Sequence, residues 1–270
     1  MPKPVCVIAG AGLGNGTAFA RRFALAGHQV ALLARDPAGL AGLTQEVPGA
    51  RAYPCDATDA VQVEATFARI RAELGPVAVL IYNASTRDFG DLDHTDPETF
   101  ERAWRVNALG CLLAVRAAVG DMRQAAAGSI VVIGATASLK GAAGFVAFAA
   151  AKAAQRSLAQ SLARQLGPEG IHVAHVVIDS VVDMPASRVM LPDRPDDFFA
   201  QPADIAESVY FLTRQPRSAW TFELDLRPFG ETWIGSGRRD CARQPSHTTG
   251  HAVFRIRRLS PAGLARERPR

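Results

Sequence analysis

Three shortages narrow the reading of this chain before any motif is considered. No run of about 18 apolar residues occurs, so no transmembrane helix and no membrane partner is expected. The four cysteines, Cys6, Cys55, Cys111 and Cys241, stand apart with neither a CxxC pair nor a metal-ligand spacing. They read as reduced core thiols of a cytosolic protein, and no metal site is expected. Lysine is nearly missing: Lys3, Lys140 and Lys152 stand against 27 arginines. Arginine is therefore the default cation, and a lysine asks for a reason. Met1-Pro2-Lys3 leads straight into an apolar run, which leaves no room for a signal peptide and adds to the expectation of a cytoplasmic protein.

The charge is unevenly spread. Residues 234–270 hold nine arginines against Asp240 and Glu267, a net of +7, so the chain's +4 leaves residues 1–233 near −3. The body is mildly acidic, which argues against nucleic-acid binding. The last stretch, Arg-rich and poor in apolar periodicity apart from Val253-Phe254-Arg255-Ile256, reads as a disordered extension, with an electrostatic contact to an anionic partner as the alternative. A length of 270 residues otherwise fits one large α/β domain over 1–233.

What is abundant near the N-terminus is glycine. Val5-Cys6-Val7-Ile8-Ala9 is short and β-branched, as a strand is. Gly10, Gly12, Gly14 and Gly16 follow, and then Ala18, Phe19, Phe23 and Ala24 recur at helical spacing. Strand, glycine turn and amphipathic helix make the front of a dinucleotide-binding unit, where backbone N–H groups meet a pyrophosphate at a helix N-terminus. An ordinary βα turn is the plainer alternative. The second strand, Gln29 to Ala34, ends at Ala34-Arg35. A carboxylate there would favour NAD, whereas a neutral residue followed by Arg suits the 2′-phosphate of NADP, unless Arg35 is one more solvated surface arginine.

Further strands are expected at 50–54, 77–82, 128–134, 171–178 and 220–226, alternating with helices at 37–47, 60–74, 97–126, 145–166 and 202–213. The helix from Pro97 contains Asn107 and Gly110, which predict a local distortion. Ala147, Ala151 and Ala154 form a small stripe suited to close helix packing. Asp56 follows the third strand, either to accept from an adenine amino group or to begin the next helix. Asn83-Ala84-Ser85 ends the fourth strand with small residues and an Asn able to bridge strands. The segment 179–201, irregular and carrying Pro185, Pro192 and Pro195 among Met and Phe, reads as an apolar lid. The alternation implies a single doubly wound, Rossmann-type parallel sheet of about seven strands with helices on both faces.

Taken together, Gly10-x3-Gly14-x-Gly16, Asp56, Asn83-Ala84-Ser85, Asn107 and Lys152 make residues 4–233 resemble the short-chain dehydrogenase/reductase family. The resemblance implies an NAD(P)-dependent oxidoreductase, NADP(H) being preferred and NAD(H) the other cofactor, acting on a small-molecule substrate as a homodimer or homotetramer. It places Leu13, Asn15, Ala57 and Val181, with the residues already named, against the cofactor. It assigns Lys152 to the nicotinamide ribose and Asn107 to a water relay. Two of the family's four catalytic positions are changed: Phe148 stands where the Tyr belongs, and Ala135 where the Ser belongs. The Pro-Gly usual after strand six is Ile178-Asp179. Phe supplies no proton. Thr136 and Ser138 are candidates to hold a carbonyl oxygen, or are turn hydroxyls bonded to backbone. Asp179, Asp183, His94, His175 and water relayed from Lys152 and Asn107 are the candidate proton sources. Three functions remain open: an oxidoreductase for an apolar carbonyl, enone or imine, a dinucleotide-binding partner or sensor that transfers no hydride, and a non-redox enzyme in the same cleft.

Overall fold

The structure is a computed structural model that describes residues 2–230. The expected extension over 234–270, with Cys241, lies outside the described residues. The elements alternate: β1 (Val5–Ala9), α1 (Asn15–Leu25), β2 (Gln29–Ala34), α2 (Pro37–Glu46), β3 (Arg51–Pro54), α3 (Ala60–Glu73), β4 (Val77–Tyr82), α4 (Pro97–Trp104), α5 (Gly110–Ala125), β5 (Gly128–Ile133), α6 (Val146–Leu166), β6 (Ile171–Ile178), β7 (Val181–Val182), α7 (Pro185–Met190), β8 (Phe199–Ala200), α8 (Pro202–Leu212) and β9 (Glu223–Leu226). Seven strands form one sheet in the order β3-β2-β1-β4-β5-β6-β9, every neighbouring pair parallel. The doubly wound sheet expected from the alternation is the one observed.

Both faces of the sheet are covered, which is why β1, β4, β5 and β6 read as continuous apolar runs. One face packs Val7, Leu80 and Val132 against Phe67, Val115 and Met122 of α3 and α5. The other packs Ile8, Leu32 and Ile81 against Phe19 and Phe23 of α1 and Val209 of α8. Helix starts follow local chemistry. Asp36 and Asp96 cap α2 and α4, each followed by Pro at the first turn, and Asp59 caps α3.

The expected lid carries more order than its sequence suggested. Val181–Val182 pairs with Phe199–Ala200 in a small two-stranded sheet, and α7 lies between them. The small stripe of α6 has its partner within the chain: Ala147 and Ala151 pack on Ala103 of α4. Cys6, Cys55 and Cys111 are free and buried. Among the described residues no helix is long and apolar enough to cross a membrane.

Candidate active site

The first half of the site is a cradle of backbone. Gly10 has φ 89°, and a Cβ there would lie 2.2 Å from the Ala84 nitrogen, so β1 and the end of β4 meet at a distance only glycine allows. Asn83 bridges the two strands as its position suggested: its N–H donates to Ala9 O and its amide to Gly10 O, both at 2.8 Å. Gly14, with φ 85°, lies against the lid, where a Cβ would be 2.5 Å from Met184 Sδ. Gly16 packs on Ala11, whereas Gly12 faces open space. Among the described residues, the N–H groups of Gly12, Leu13 and Gly14 donate to no protein acceptor, and they stand at the start of α1. The Asn15 side-chain oxygen is enclosed there without a partner. Free N–H donors at a helix N-terminus, with room that a Cβ would fill, fit a dinucleotide pyrophosphate.

Arg35 follows β2, exposed and with no hydrogen bond or ion pair to any described residue, which leaves its guanidinium available to a ligand phosphate. Asp56 does not begin α3, since Asp59 does. Its Oδ1 instead accepts from Thr58 N and Oγ1 at 2.8 Å each. Ala57 lies beside it with its carbonyl against Gly110.

The distortion expected at Asn107 is a π turn over Arg105–Leu109 that joins α4 to α5. The wider turn frees backbone carbonyls, and side chains take them up. Asn107 donates to Ala103 O at 2.9 Å, and Tyr82 Oη donates to Val106 O at 2.5 Å. Ser85 Oγ then donates to Asn107 Oδ1 at 2.9 Å, which ties the end of β4 to the turn. Gly110 is required because a Cβ would reach 2.4 Å from Tyr82 Oη.

The second half lies around β5 and α6. Lys152 is buried on α6, its Nζ donating to Ile133 O at 2.9 Å and Gln155 Oε1 at 3.0 Å. Burial pushes its pKa down to about 8. The Phe148 ring stands 5.9 Å from Nζ. Phe148, Phe145 and Phe89 form one aromatic group, Phe89 meeting the other two edge to face at 5.0 and 5.2 Å. Gly90, beside Phe89, bonds to Gly144 and Val146, so the loop after β4 is fastened over the start of α6.

Ala135 leaves β5 in extended conformation and offers no hydroxyl. Of the two candidate hydroxyls, Ser138 is the turn hydroxyl, donating to Ala135 O at 2.7 Å. Thr136 Oγ1 donates to Asp179, whose other oxygen is 2.5 Å from Arg227 Nη1. Val181, half-buried, is held in the small sheet of the lid.

The structure removes several candidate acids. Asp183 accepts from Arg188 Nε and Nη2 and from Gln201, bonds that hold its carboxyl down at about 2. His94 is exposed on the loop before α4, its pKa raised by a hydrogen bond from its ring to Asp91. His175 is buried on β6 behind the site, where burial pushes its pKa down to about 4. The three tyrosines of the chain are engaged elsewhere: Tyr53 bonds Glu73, Tyr82 bonds Val106 O, and Tyr210 lies under Arg22. Of the groups considered, only Lys152 joins burial, adjacency to Phe148 and a proton held near neutral pH.

The sequence reading missed Gln155. Ala147, Ala151 and Gln155 recur at four-residue spacing on the buried face of α6, and a polar residue on that stripe was the available signal.

Comparison with known proteins agrees with this geometry. The short chain dehydrogenase family model matches residues 4–186. The chain belongs to the short-chain dehydrogenase family. A relative from Xanthobacter autotrophicus, named "Inactive 2-(S)-hydroxypropyl-CoM dehydrogenase 2", is 34% identical over 208 residues, covering 72% of this chain and 90% of that one. A short-chain dehydrogenase from Rhodopseudomonas palustris superposes with a TM-score of 0.72 at 33% identity, covering 84% of this chain and 99% of the other. A metagenomic short-chain oxidoreductase, solved in complex with NADP, superposes with a TM-score of 0.73 at 27% identity, over 84% and 97% of the two chains.

Proposed function

We propose that this short-chain dehydrogenase is an NADP(H)-dependent reductase of a small, largely apolar carbonyl, enone or imine, in which Lys152 replaces the missing tyrosine as proton source. The observation that carries the reading is Lys152 itself: a buried ammonium beside Phe148, in a chain with only two other lysines against 27 arginines. The cofactor's chemistry, when bound, is hydride transfer to carbon. The N–H groups of Gly12, Leu13 and Gly14 hold its pyrophosphate, Arg35 its 2′-phosphate and Asp56 its adenine, and Asn83, Ala84, Ser85 and Val181 wall the cleft. That a similar short-chain oxidoreductase was solved in complex with NADP supports the choice of cofactor.

Lys152 Nζ commits two N–H groups to Ile133 O and Gln155, leaving the third for a ribose hydroxyl or a water that passes the proton on. Ser138 and Thr136 both donate inward, so neither is free to hold a carbonyl oxygen. That favours substrates that need least help: an imine already protonated, or an enone whose carbanion is delocalised. Phe89, Phe145, Phe148 and Met184 supply an apolar wall. Cytoplasmic location and a homodimer or homotetramer complete the proposal.

A second reading, a dinucleotide-binding partner or sensor without hydride transfer, draws on the relative named inactive and on Phe148. One experiment separates them. The purified chain is titrated with NADPH and NADH by nucleotide fluorescence, and imines, enones and ketones are then assayed across pH. NADPH is expected to bind more tightly than NADH. Because the ammonium is the active form, reduction falls as pH rises through about 8. Lys152→Met abolishes that limb and lowers the rate by about 10²-fold or more. Binding without turnover on any class supports the sensor, and binding of neither nucleotide sinks both readings.

A further inference from the structure

The anion cradle and the lid meet at one side chain. Residues 10–18 carry no charged group, so a pyrophosphate there is met by N–H dipoles alone. Met184 reaches from the lid onto Gly14, its Sδ 2.5 Å and its Cγ 2.7 Å from the place of a Gly14 Cβ. From the loop after Asn83-Ala84-Ser85, Arg87 reaches the same sulfur, Nη2 donating to Met184 Sδ at 3.9 Å. The two distances in succession keep Arg87 Nη2 no further from that Cβ place than their sum. A thioether is a weak acceptor and a poor partner for a guanidinium. Arg87 is exposed and has no ion pair among the described residues, because the carboxylate beside it, Asp88, is held by Arg102 at 2.8 Å. The lid is fastened on both sides of Met184. Asp183 N donates to Ala200 O at 2.9 Å, and Arg188 N donates to Met184 O at 3.0 Å as α7 begins. The Asp183 carboxylate, which would oppose an anion one residue away, is clasped by Arg188 Nε and Nη2 at 2.7 and 2.8 Å. The backbone at Met184 is therefore held, and the part able to move is its unbranched side chain with three rotatable bonds.

We propose that Met184 is a displaceable cover of the cradle and that Arg87 is the cation that serves the pyrophosphate. A dinucleotide turns the Met184 side chain off Gly14 without opening the lid. Arg87 leaves the sulfur and turns its fork of N–H donors to the phosphate oxygens. The exchange is favourable because a charge-assisted pair replaces a weak N–H···S contact. Against it stands the contact of Met184 with Gly14, which lowers the affinity for every dinucleotide by the fraction of molecules left uncovered. Turned aside, Met184 stays on the lid as part of the apolar wall. Arg87 and Arg35 then read different parts of the cofactor, since the pyrophosphate is common to NADP and NAD and the 2′-phosphate is not. The inference rests on the dinucleotide reading of the cradle and not on hydride transfer.

The test uses the full chain and reads binding, not turnover. NADPH, NADH and ADP-ribose, which has the pyrophosphate but no nicotinamide, are titrated by calorimetry. Arg87→Gln is expected to weaken all three by a similar factor, about fivefold or more, and to reduce the salt dependence of binding. Met184→Ala is expected to tighten all three by about threefold or more. Methyl ¹³C NMR follows Met184 directly, since the chain has only four methionines. Its contact with Gly14 is expected in the free protein and lost when ADP-ribose is bound. Unchanged affinities in Arg87→Gln, or a loss confined to NADPH, overturn the assignment of Arg87. A Met184 methyl that keeps its contact in the complex, or a folded Met184→Ala protein that binds no better, overturns the cover. Each of those results leaves the dinucleotide reading standing. A parent chain and variants that bind none of the three sink that reading and the inference with it.

Discussion

The two halves of the cleft are built from different parts, one of backbone and one of side chains. Around β1, β2 and β4 stand parts that fit a dinucleotide: N–H groups before α1 and an Arg35 side chain that pair with no described residue, and the Asn83 bridge. Around β5 and α6 stand Ala135 and Phe148, which offer no polar side-chain atom, together with Lys152 and Asn107. The cradle is built from backbone, so it depends on glycines at Gly10 and Gly14 and tolerates little else. The catalytic half is built from side chains, each replaceable without moving the chain. Cofactor binding and proton delivery are therefore separable properties of this fold, and each half can be broken without the other.

The largest effect is expected from breaking the cradle. In Gly10→Ala the new Cβ meets backbone, 2.2 Å from Ala84 N and 2.7 Å from Asn83 C, at a φ that L-residues rarely adopt. Nothing there yields like a flexible side chain. We expect a loss of about 3–5 kcal/mol, or roughly 10 °C in Tm, together with loss of NADPH binding. A variant that melts and binds like the parent would refute the cradle. The comparison is sharpened from the other side by adding two hydroxyls at positions 135 and 148. Ala135→Ser with Phe148→Tyr returns a hydroxyl near Lys152 Nζ, and ketone reduction should rise by about 10²-fold or more at unchanged NADPH affinity. Unchanged ketone turnover would count against the site.

The same division explains what the sequence disclosed. The strands, the glycine turn and the π turn are local features: β-branched runs, glycine spacing, and an Asn three residues before Gly110 inside a helix. They were legible because their causes lie within a few residues of one another. The pairing of Thr136 with Asp179 and Arg227, and the polar contacts of Lys152 with Ile133 and of His175 with Glu223, arise between residues far apart in the chain. His175 reads in sequence as one of two histidines in an otherwise apolar strand, and only its neighbours reveal that its nitrogens lack hydrogen-bond partners. Ser138 posed an even choice in sequence that a single hydrogen bond decides. The lid looked irregular because its strands are two residues long, too short to show a period.

The smallest effect concerns the choice between cofactors. Arg35 is exposed and makes no hydrogen bond or ion pair with a described residue, so its removal breaks no polar contact among them. Arg35→Ala should shift stability by no more than about 0.5 kcal/mol. Any change in ligand affinity then reports a contact to the ligand itself. A guanidinium–phosphate pair is charge-assisted, but at an exposed position water and salt screen it, which reduces its worth to about 1–2 kcal/mol. The expected result is NADPH binding weakened by about 5–30-fold, NADH binding unchanged, and a gap between the two that narrows as ionic strength rises. Equal weakening of both nucleotides would place Arg35 elsewhere than at the 2′-phosphate. No change in either would make it a solvated surface arginine, and the preference for NADP would then need another source in the cradle.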